Sequence, residues 1–198
     1  MFITFEGLDG SGKTTQVELL REALEREGRE VVTTREPGGT PLGEEIRRLL
    51  LHSSDVSPWA EAALFAAARA ELVSAVIRPA LTRGADVLCD RYVDSSIAYQ
   101  GIARNLGTDR VLDLNRAAVD GVLPERTFVL LVEPRDVAGR MEGEQDRIER
   151  EDSDFRERVA AAYRQLVMLF PDRIVPIDGT LPREEIAAMI QQRVRELS

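Results

Sequence analysis

The residues from Gly7 to Thr14 have the types and spacing of a phosphate-binding loop. They match the pattern G-x-x-x-x-G-K-[ST], and Lys13 within it is the only lysine among 26 lysine and arginine residues. Glycines let backbone N–H groups surround phosphate oxygens, while the lysine ammonium and the Thr14 hydroxyl are suited to phosphate and Mg²⁺. The motif therefore predicts a nucleoside triphosphate site made by Gly7, Leu8, Asp9, Gly10, Ser11, Gly12, Lys13 and Thr14.

Two arginines that directly follow predicted strands are candidates for a second phosphate. Arg35 lies in Thr34-Arg35-Glu36-Pro37-Gly38-Gly39-Thr40, and Arg91 lies in Asp90-Arg91-Tyr92. Guanidinium groups hold phosphate bidentately, and ligands of parallel sheets bind beyond the carboxyl ends of the strands. The pair favours a second phosphorylated substrate. The alternative is that each arginine forms a structural ion pair with Glu36 or Asp90.

Asp90 itself ends an apolar run, where phosphate-loop enzymes often place a carboxylate near Mg²⁺ or the transferring group. A capping or ion-pairing role is the alternative.

Residues with a spacing of four could read a nucleobase. Phe65 and Arg69 share one face of a predicted helix, so that a ring and a guanidinium could stack on a base and bond its edge. A core phenylalanine is the alternative. The pairs Ser95 with Tyr99 and Ser96 with Gln100 could likewise contact a base or sugar, although either serine could simply cap a helix.

A polar segment with two glycines is suited to a mobile flap over about residues 139–152. Such a flap would exclude water from a reactive phosphate and bring charge to it. The alternative is a solvated charged face.

Composition favours one domain over residues 1–198. Hydrophobic residues make up 43% and charged residues 31% of the chain, and the formal net charge is −9. That charge argues against nucleic acid and anionic membranes as partners. With no apolar run long enough to span a membrane, we expect a cytoplasmic protein. Cys89 stands alone and is expected to be a buried strand residue, and His52 receives no catalytic role.

Strand-like and helix-like segments alternate along the chain. Apolar runs predict strands at 2–6, 30–34, 86–90, 127–132 and 173–177. Helical periodicity and capping signals predict helices at 14–27, 42–51, 58–82, 93–103, 109–120, 134–142, 153–169 and 183–197. This alternation predicts a three-layer α/β fold, with a five-stranded parallel sheet covered by helices on both faces. Together with the phosphate-binding loop after the first strand, it indicates a fold of the P-loop NTPase type.

The order of these motifs resembles the bacterial thymidylate kinase family over essentially the whole chain. The segments that carry the resemblance are Phe5-Glu6-Gly7, the Arg-Glu-Pro-Gly-Gly segment, Leu64-Phe65-Ala66-Ala67-Ala68-Arg69, Asp90-Arg91-Tyr92, Ser95-Ser96 with Tyr99-Gln100-Gly101, and Asp146-Arg147-Ile148-Glu149. The resemblance implies transfer of the γ-phosphoryl group from ATP to thymidine monophosphate (dTMP), with Mg²⁺ near Thr14 and Asp90. It also implies a homodimer.

The resemblance further implies roles for individual residues. The 5′-phosphate of dTMP would be held by Arg35, Arg91 and Arg47, with Glu36 and Ser95 also in the substrate site, and the sugar 3′-hydroxyl by Asp9. The base would stack on Phe65, its edge would be read by Arg69, Gln100 and Ser96, and Tyr99 would fill the space of a ribose 2′-hydroxyl.

One position departs from part of the family. Some members carry an arginine in the phosphate loop after the acidic residue, whereas this chain has Gly10. The transition-state arginine is therefore expected from the flap, where Arg147 is favoured over Arg140 and Arg150. Two other functions stay open: a kinase for another nucleoside monophosphate, and a nucleotide-dependent switch.

Overall fold

A five-stranded parallel sheet forms the centre of the computed structural model, which describes residues 1–53, 55–137 and 146–197. The strand order is β2-β3-β1-β4-β5, and every neighbouring pair is parallel. The strands are β1 (Phe2–Gly7), β2 (Val31–Arg35), β3 (Asp86–Asp90), β4 (Arg126–Leu131) and β5 (Ile174–Asp178). Each strand begins and ends within about one residue of its predicted position. The predicted fold class is confirmed.

Helices follow the strands at the positions that capping signals predict. They are α1 (Lys13–Arg26), α2 (Pro41–His52), α3 (Pro58–Leu72), α4 (Arg78–Thr82), α5 (Val93–Ser96), α6 (Thr108–Val119), α7 (Pro134–Val137), α8 (Ser153–Leu169) and α9 (Arg183–Arg195). The Thr40 side chain caps α2 by accepting from the Gly43 N–H, and Asp152 caps α8 by accepting from the Phe155 N–H. The predicted helix at 134–142 extends beyond the described residues.

Two helices that the sequence predicts as uninterrupted contain π-helical turns. Val73–Ile77 joins α3 to α4, and Ile97–Ala103 continues α5. The first turn precedes Pro79, which lacks an N–H and crowds the carbonyl four residues earlier, so a wider turn relieves the conflict. The second contains Gly101, where an added Cβ would lie 3.4 Å from the Thr108 Cα of α6.

Side chains alternate between two cores along the central strands. Ile3 and Phe5 of β1 pack under α1 and α9, whereas Phe2 faces the opposite side with α3, α5 and α8. Burial of β1 on both faces is what a parallel sheet between two helical layers requires. No helix in the described ranges has the length and apolar character needed to cross a membrane.

The carboxyl ends of β1, β2 and β3 meet at one edge of the sheet. Asp90 pairs in register with both Phe5 and Arg35. The Glu36 N–H donates to the Asp90 carbonyl at 2.9 Å, and the Arg91 N–H donates to the Phe5 carbonyl at 2.9 Å. These bonds bring the phosphate loop and the segments after β2 and β3 together.

Gly7 joins β1 to the phosphate loop where a side chain has no room. Its φ is +135°, and an added Cβ would lie 2.6 Å from the Leu130 backbone oxygen. We expect Gly7→Ala to lower the free energy of unfolding by about 3 kcal/mol, because backbone strain and overpacking add. Gly28→Ala is the control: it has φ +80° with no atom within 4 Å of an added Cβ, and we expect it to cost about 1 kcal/mol. Equal costs in urea unfolding would contradict the steric argument.

Candidate active site

The phosphate loop wraps around the Lys13 side chain. Gly10 and Gly12 adopt φ +76° and +96°, conformations that glycine permits. The buried Lys13 Nζ donates to the Leu8 carbonyl at 2.8 Å and to the Gly7 carbonyl at 3.2 Å. Burial, with the Arg91 charge as a second cause, lowers the pKa of Lys13. A phosphate anion bound in the loop would favour the charged ammonium and so raise the pKa of Lys13.

Thr14 and Asp90 provide neighbouring oxygen atoms at the start of α1. The Thr14 hydroxyl donates to Asp90 Oδ2 at 2.7 Å. A hydroxyl and one carboxylate are hard oxygen ligands that suit Mg²⁺, which takes its remaining ligands from water and phosphate. The residues therefore fit the ion. No cluster of three or more His, Cys, Asp or Glu side chains able to hold a metal occurs within residues 1–53, 55–137 and 146–197.

Arg91 projects from β3 across the phosphate loop. Its backbone is left-handed, with φ +70°, and its guanidinium donates to Asp9 Oδ1 at 2.5 Å and to the Gly7 carbonyl at 3.0 Å. The same guanidinium lies 5.3 Å from the centre of the Tyr99 ring. Burial acts to raise the pKa of Asp9, but the Arg91 and Lys13 charges outweigh it and lower that pKa to about 2. Asp9 is therefore an anion across the physiological pH range.

Glu6 holds the turn that contains Arg91. Its carboxylate accepts from the Tyr92 N–H at 2.8 Å, the Ser95 N–H at 3.2 Å, the Ser95 hydroxyl at 2.5 Å and the Tyr163 hydroxyl at 3.0 Å. The side chain is fully buried. Burial, and then the neighbouring Asp94 charge, raise the pKa of Glu6 to about 7.

Two further arginines line the cleft in front of the phosphate loop, which we call the loop cleft. Arg35 donates to Glu44 Oε1 at 3.0 Å, and Arg47 donates to the Pro37 carbonyl at 2.9 Å. The sequence left open that Arg35 and Arg91 form ion pairs with Glu36 or Asp90. In the structure, Arg35 pairs with Glu44 and Arg91 pairs with Asp9 instead. The loop cleft is lined by Asp9, Gly10, Gly12, Lys13, Thr14, Thr15, Arg35, Glu36, Arg47, Asp90 and Arg91.

A second pocket, the inner pocket, adjoins the loop cleft. It is lined by Asp9, Glu36, Pro37, Arg47, Leu51, Phe65, Arg91, Ser95, Ser96, Tyr99, Gln100, Asp146, Ile148 and Glu149. Asp9, Glu36, Arg47 and Arg91 line both spaces. The structure thus brings together the predicted phosphate-holding and base-reading residues. Arg69 lies behind the lining residues.

Arg69 is almost fully buried and uses all five of its N–H donors within the protein. Nε and Nη2 donate to Glu36 Oε2 at 2.8 and 2.5 Å, and Nη2 also donates to the Tyr92 carbonyl at 3.0 Å. Nη1 donates to the Ser96 hydroxyl at 3.0 Å and to the Asn115 side-chain oxygen. A direct bond from Arg69 to a base, which the resemblance implies, therefore requires Nη1 to exchange one of its two partners.

Glu36 is a buried carboxylate with one oxygen still available. Oε2 is taken by Arg69, whereas Oε1 has no hydrogen-bond donor among the described residues. Burial raises the pKa of Glu36 to about 7, against the opposing charge of Arg69. Glu36 lines both spaces, but Oε1 is itself buried, so it is an acceptor without a donor beside them.

Gln100 and Ser96 present polar atoms to the inner pocket. The Gln100 Nε2 donates to Glu61 Oε1 at 2.8 Å, and the Ser96 hydroxyl oxygen accepts from Arg69. A carboxylate only accepts, so the bond to Glu61 assigns the amide and leaves the Gln100 Oε1 as an acceptor. Phe65 offers a partly buried ring in the same lining.

Glu61 of α3 joins three elements around the inner pocket. Its buried carboxylate accepts from Gln100, from Arg104 Nη2 at 3.2 Å and from Arg147 Nη2 at 2.7 Å. Arg147 Nε also donates to the Leu50 carbonyl at 2.9 Å, and its backbone N–H donates to the Leu51 carbonyl at 3.0 Å. The described end of the predicted flap is thereby tied to α2 and α3.

Part of the predicted flap lies outside the described residues. This holds for its residues 139–145 and so for Arg140. Arg150 is described, and its backbone N–H donates to the Asp146 carbonyl at 3.0 Å. In the described part of the chain, the guanidinium contacts of Arg147 are with α2 and α3 rather than with the phosphate loop.

Sequence reasoning gave no role to four side chains that organise the site. Two of them had a signal. Glu6 is a charged residue inside an apolar strand, and Glu61 lies four and eight residues before Phe65 and Arg69 on one helix face. Asn115 and Tyr163 lie on α6 and α8, whose own sequences give no sign of contact with the site. Cys89 is a buried strand residue, as predicted, and its Sγ donates to the Arg91 carbonyl at 3.0 Å.

The strand order, the phosphate loop after the central strand and the arginine-lined inner pocket beside it define a class of protein. A loop for a nucleoside triphosphate next to a second anion site is the arrangement of a P-loop enzyme that transfers a phosphoryl group between two nucleotides.

The chain belongs to the thymidylate kinase family. The family model described as thymidylate kinase matches residues 5–190. The resemblance inferred from the sequence motifs is confirmed.

Individual relatives are similar over nearly their whole length. The chain is 47% identical to a thymidylate kinase of Bifidobacterium longum (strain DJO10A), covering 100% of this chain and 98% of that protein. It is 49% identical to a thymidylate kinase of Clavibacter sepedonicus, covering 100% and 95%. The crystal structure of thymidylate kinase from Ehrlichia chaffeensis superposes with a TM-score of 0.82 at 34% identity, covering 98% of each chain.

The raised pKa of Glu6 predicts a pH-dependent stability. Its ordinary pKa is 4.5 and its folded value is about 7, so between these values the native protein keeps a proton that the unfolded chain has released. The contribution of Glu6 is full below about pH 4.5 and is lost as the pH rises through about 7. We expect the difference in free energy of unfolding, wild type minus Glu6→Gln, to fall as the pH rises from 4.5 to about 7. The fall should be at most about 1.4 kcal/mol per pH unit.

The measurement is urea unfolding of both proteins from pH 4.5 to 8. Glu27→Gln, at an exposed position after α1, is the control and should give a flat difference. A flat difference for Glu6→Gln as well would contradict the raised pKa.

Proposed function

We propose that this protein transfers the γ-phosphoryl group of ATP to dTMP, giving ADP and thymidine diphosphate. The observation that carries the proposal is the inner pocket, which shares four lining residues with the loop cleft and so sets an acceptor nucleotide against the phosphate loop. Membership of the thymidylate kinase family supports the identity of both substrates.

The phosphate loop binds the donor. Its backbone N–H groups and the N-terminus of α1 surround the ATP phosphates, and Lys13 exchanges loop carbonyls for phosphate oxygens. Thr14 and Asp90 would hold Mg²⁺, and that ion, when bound, neutralises charge on the phosphate oxygens.

Three arginines receive the 5′-phosphate of dTMP. Arg35, Arg47 and Arg91 line the loop cleft from three different segments, so they can contact separate phosphate oxygens. Asp9 accepts from the sugar 3′-hydroxyl, consistent with its lowered pKa and its position in both spaces. The Tyr99 ring, fixed beneath the Arg91 guanidinium, fills the space that a ribose 2′-hydroxyl would occupy.

The base is recognised by stacking and by its edge. Phe65 stacks on thymine, and Gln100 Oε1 accepts from the thymine N3–H. Because the Ser96 oxygen already accepts from Arg69, its hydroxyl hydrogen is free to donate to a thymine carbonyl oxygen. Arg69 orients Ser96, and Nη1 reaches the base only by exchanging Ser96 or Asn115. Ser95 and Glu36 complete the site by holding Arg91 and Arg69.

Catalysis follows from placement and charge. The dTMP phosphate oxygen attacks the γ-phosphorus in line, the bond to the β,γ-bridging oxygen of ATP breaks, and no covalent enzyme intermediate forms. Lys13 and Arg91 stabilise charge that develops on the transferring group. Water exclusion is assigned to the segment 139–152, which acts as a flap.

The assembly and location also belong to this proposal. We assign residues 1–198 to one thymidylate kinase domain that works as a homodimer in the cytoplasm. Partly exposed apolar side chains on α2 and α3, namely Leu42, Leu49 and Trp59, support a contact between two copies. The net charge of −9 supports the absence of nucleic acid and membrane partners.

The test of the function is ADP release with ATP and Mg²⁺. The acceptor panel contains the monophosphates of deoxythymidine, deoxyuridine, deoxycytidine, deoxyadenosine, deoxyguanosine and uridine, with a control lacking any acceptor. We expect dTMP to give the highest kcat/KM. Equal ADP release without a monophosphate would identify a hydrolase or switch instead, and preference for another monophosphate would identify a different kinase.

Arg147 is proposed as the flap arginine that compensates charge in the transition state. To do so, its guanidinium must exchange Glu61 and the Leu50 carbonyl for phosphate oxygens. We expect Arg147→Ala to lower kcat by about 10³-fold while the KM for dTMP changes much less, because the interaction forms only in the transition state. Arg158→Ala, on the neighbouring helix α8, is the control. An unchanged kcat would remove Arg147 from the catalytic set.

A further inference from the structure

Glu61 contacts the side chain of Gln100 from behind the inner pocket. Its carboxylate is almost fully buried, and Oε1 accepts from the Gln100 Nε2 at 2.8 Å. Oε1 also accepts from Arg104 Nε at 3.3 Å, and Oε2 accepts from Arg104 Nη2 and Arg147 Nη2. Glu61 does not itself line the inner pocket.

A primary amide has a weakness as a base reader. Its oxygen and its nitrogen are nearly identical in shape, so rotation by 180° exchanges an acceptor for two donors. Gln100 with its oxygen toward the base pairs with the N3–H of thymine or uracil. Gln100 with its nitrogen toward the base pairs instead with the unprotonated N3 of cytosine.

Glu61 removes this ambiguity. A carboxylate has no donor for the Gln100 Oε1, so the flipped amide would set two acceptor oxygens against each other in a buried place. One arginine, Arg104, keeps the Glu61 charge in position even when Arg147 exchanges its partners. Arg104 contacts both carboxylate oxygens, and its guanidinium stacks over the Phe155 ring at 4.5 Å.

We propose that Glu61 is the positioning residue that sets pyrimidine specificity, by holding the Gln100 amide with its oxygen toward the base. The inference rests on the proposed function, since it assigns the selectivity of that same acceptor site for bases with an N3–H. Glu61 acts through Gln100 and touches no substrate atom itself.

The test compares Glu61→Gln with wild type on dTMP and deoxycytidine monophosphate. A glutamine at position 61 either donates or accepts, so the Gln100 amide can adopt both orientations. We expect the ratio of kcat/KM for dTMP over deoxycytidine monophosphate to fall by about tenfold or more. A purely structural role would lower both values and leave their ratio unchanged.

Glu151→Gln is the matched control. Glu151 also binds Arg104, at 2.6 Å, but is not among the hydrogen-bond partners of Gln100. We expect it to keep the wild-type ratio whatever its effect on rate. If Glu61→Gln does not fold, Glu61→Asp keeps the charge and shortens the reach to Gln100, and it should lower the same ratio.

Binding separates this inference from the proposed function. Kd values of deoxyuridine and deoxycytidine monophosphates, measured without ATP, do not depend on phosphoryl transfer. A wild-type protein that fails to phosphorylate dTMP would overturn the proposed function alone. A Kd ratio within twofold of wild type in the folded Glu61 variant would overturn the role of Glu61.

Discussion

The buried carboxylate of Glu6 is the interaction on which the geometry of the site depends. It lies at the end of the central strand β1, and its four hydrogen bonds come from the segment after β3 and from α8. These bonds hold Arg91 in a left-handed conformation that a non-glycine residue rarely adopts. A buried carboxylate is costly unless its oxygens are bonded, so the turn and the carboxylate stabilise each other. Arg91 reaches over the phosphate loop as a result.

The balance of charges around the phosphate loop also depends on the position of Arg91. Lys13 and Arg91 bond loop carbonyls, and Asp9 lies between the two cations, within 3.9 Å of Lys13 and 2.5 Å of Arg91. The pKa of Lys13 is lowered first by burial and then by repulsion from the neighbouring Arg91 charge. An anionic phosphate relieves that repulsion. When a nucleotide binds, Lys13 and Arg91 therefore exchange loop carbonyls and Asp9 for phosphate oxygens. The two cations are already in place before binding.

Local sequence signals were sufficient for the strands, the phosphate loop and the arginines after β2 and β3, because glycine spacing, apolar runs and strand ends are properties of short segments. They were insufficient for the support behind the site. Glu6 and Glu61 acquire their roles only when β1, α3 and the π-helical turn after α5 pack together, which is a tertiary property. The π-helical turns were also missed, since a bond from i to i+5 leaves almost no periodic trace in five to seven residues.

The two groups proposed to read the base, Arg69 and Gln100, need support for different reasons. The guanidinium of Arg69 is donor-only, so it keeps its polarity in any rotamer and needs acceptors mainly to offset burial, which Glu36 and the Tyr92 carbonyl provide. The amide of Gln100 is neutral and inexpensive to bury, but its polarity reverses on rotation. The neutral amide of Gln100 thus needs a charged neighbour to fix its orientation. The charged guanidinium of Arg69 needs one to offset the cost of its burial. Two buried carboxylates meet these separate requirements: Glu36, which lines the inner pocket, and Glu61, which lies behind it.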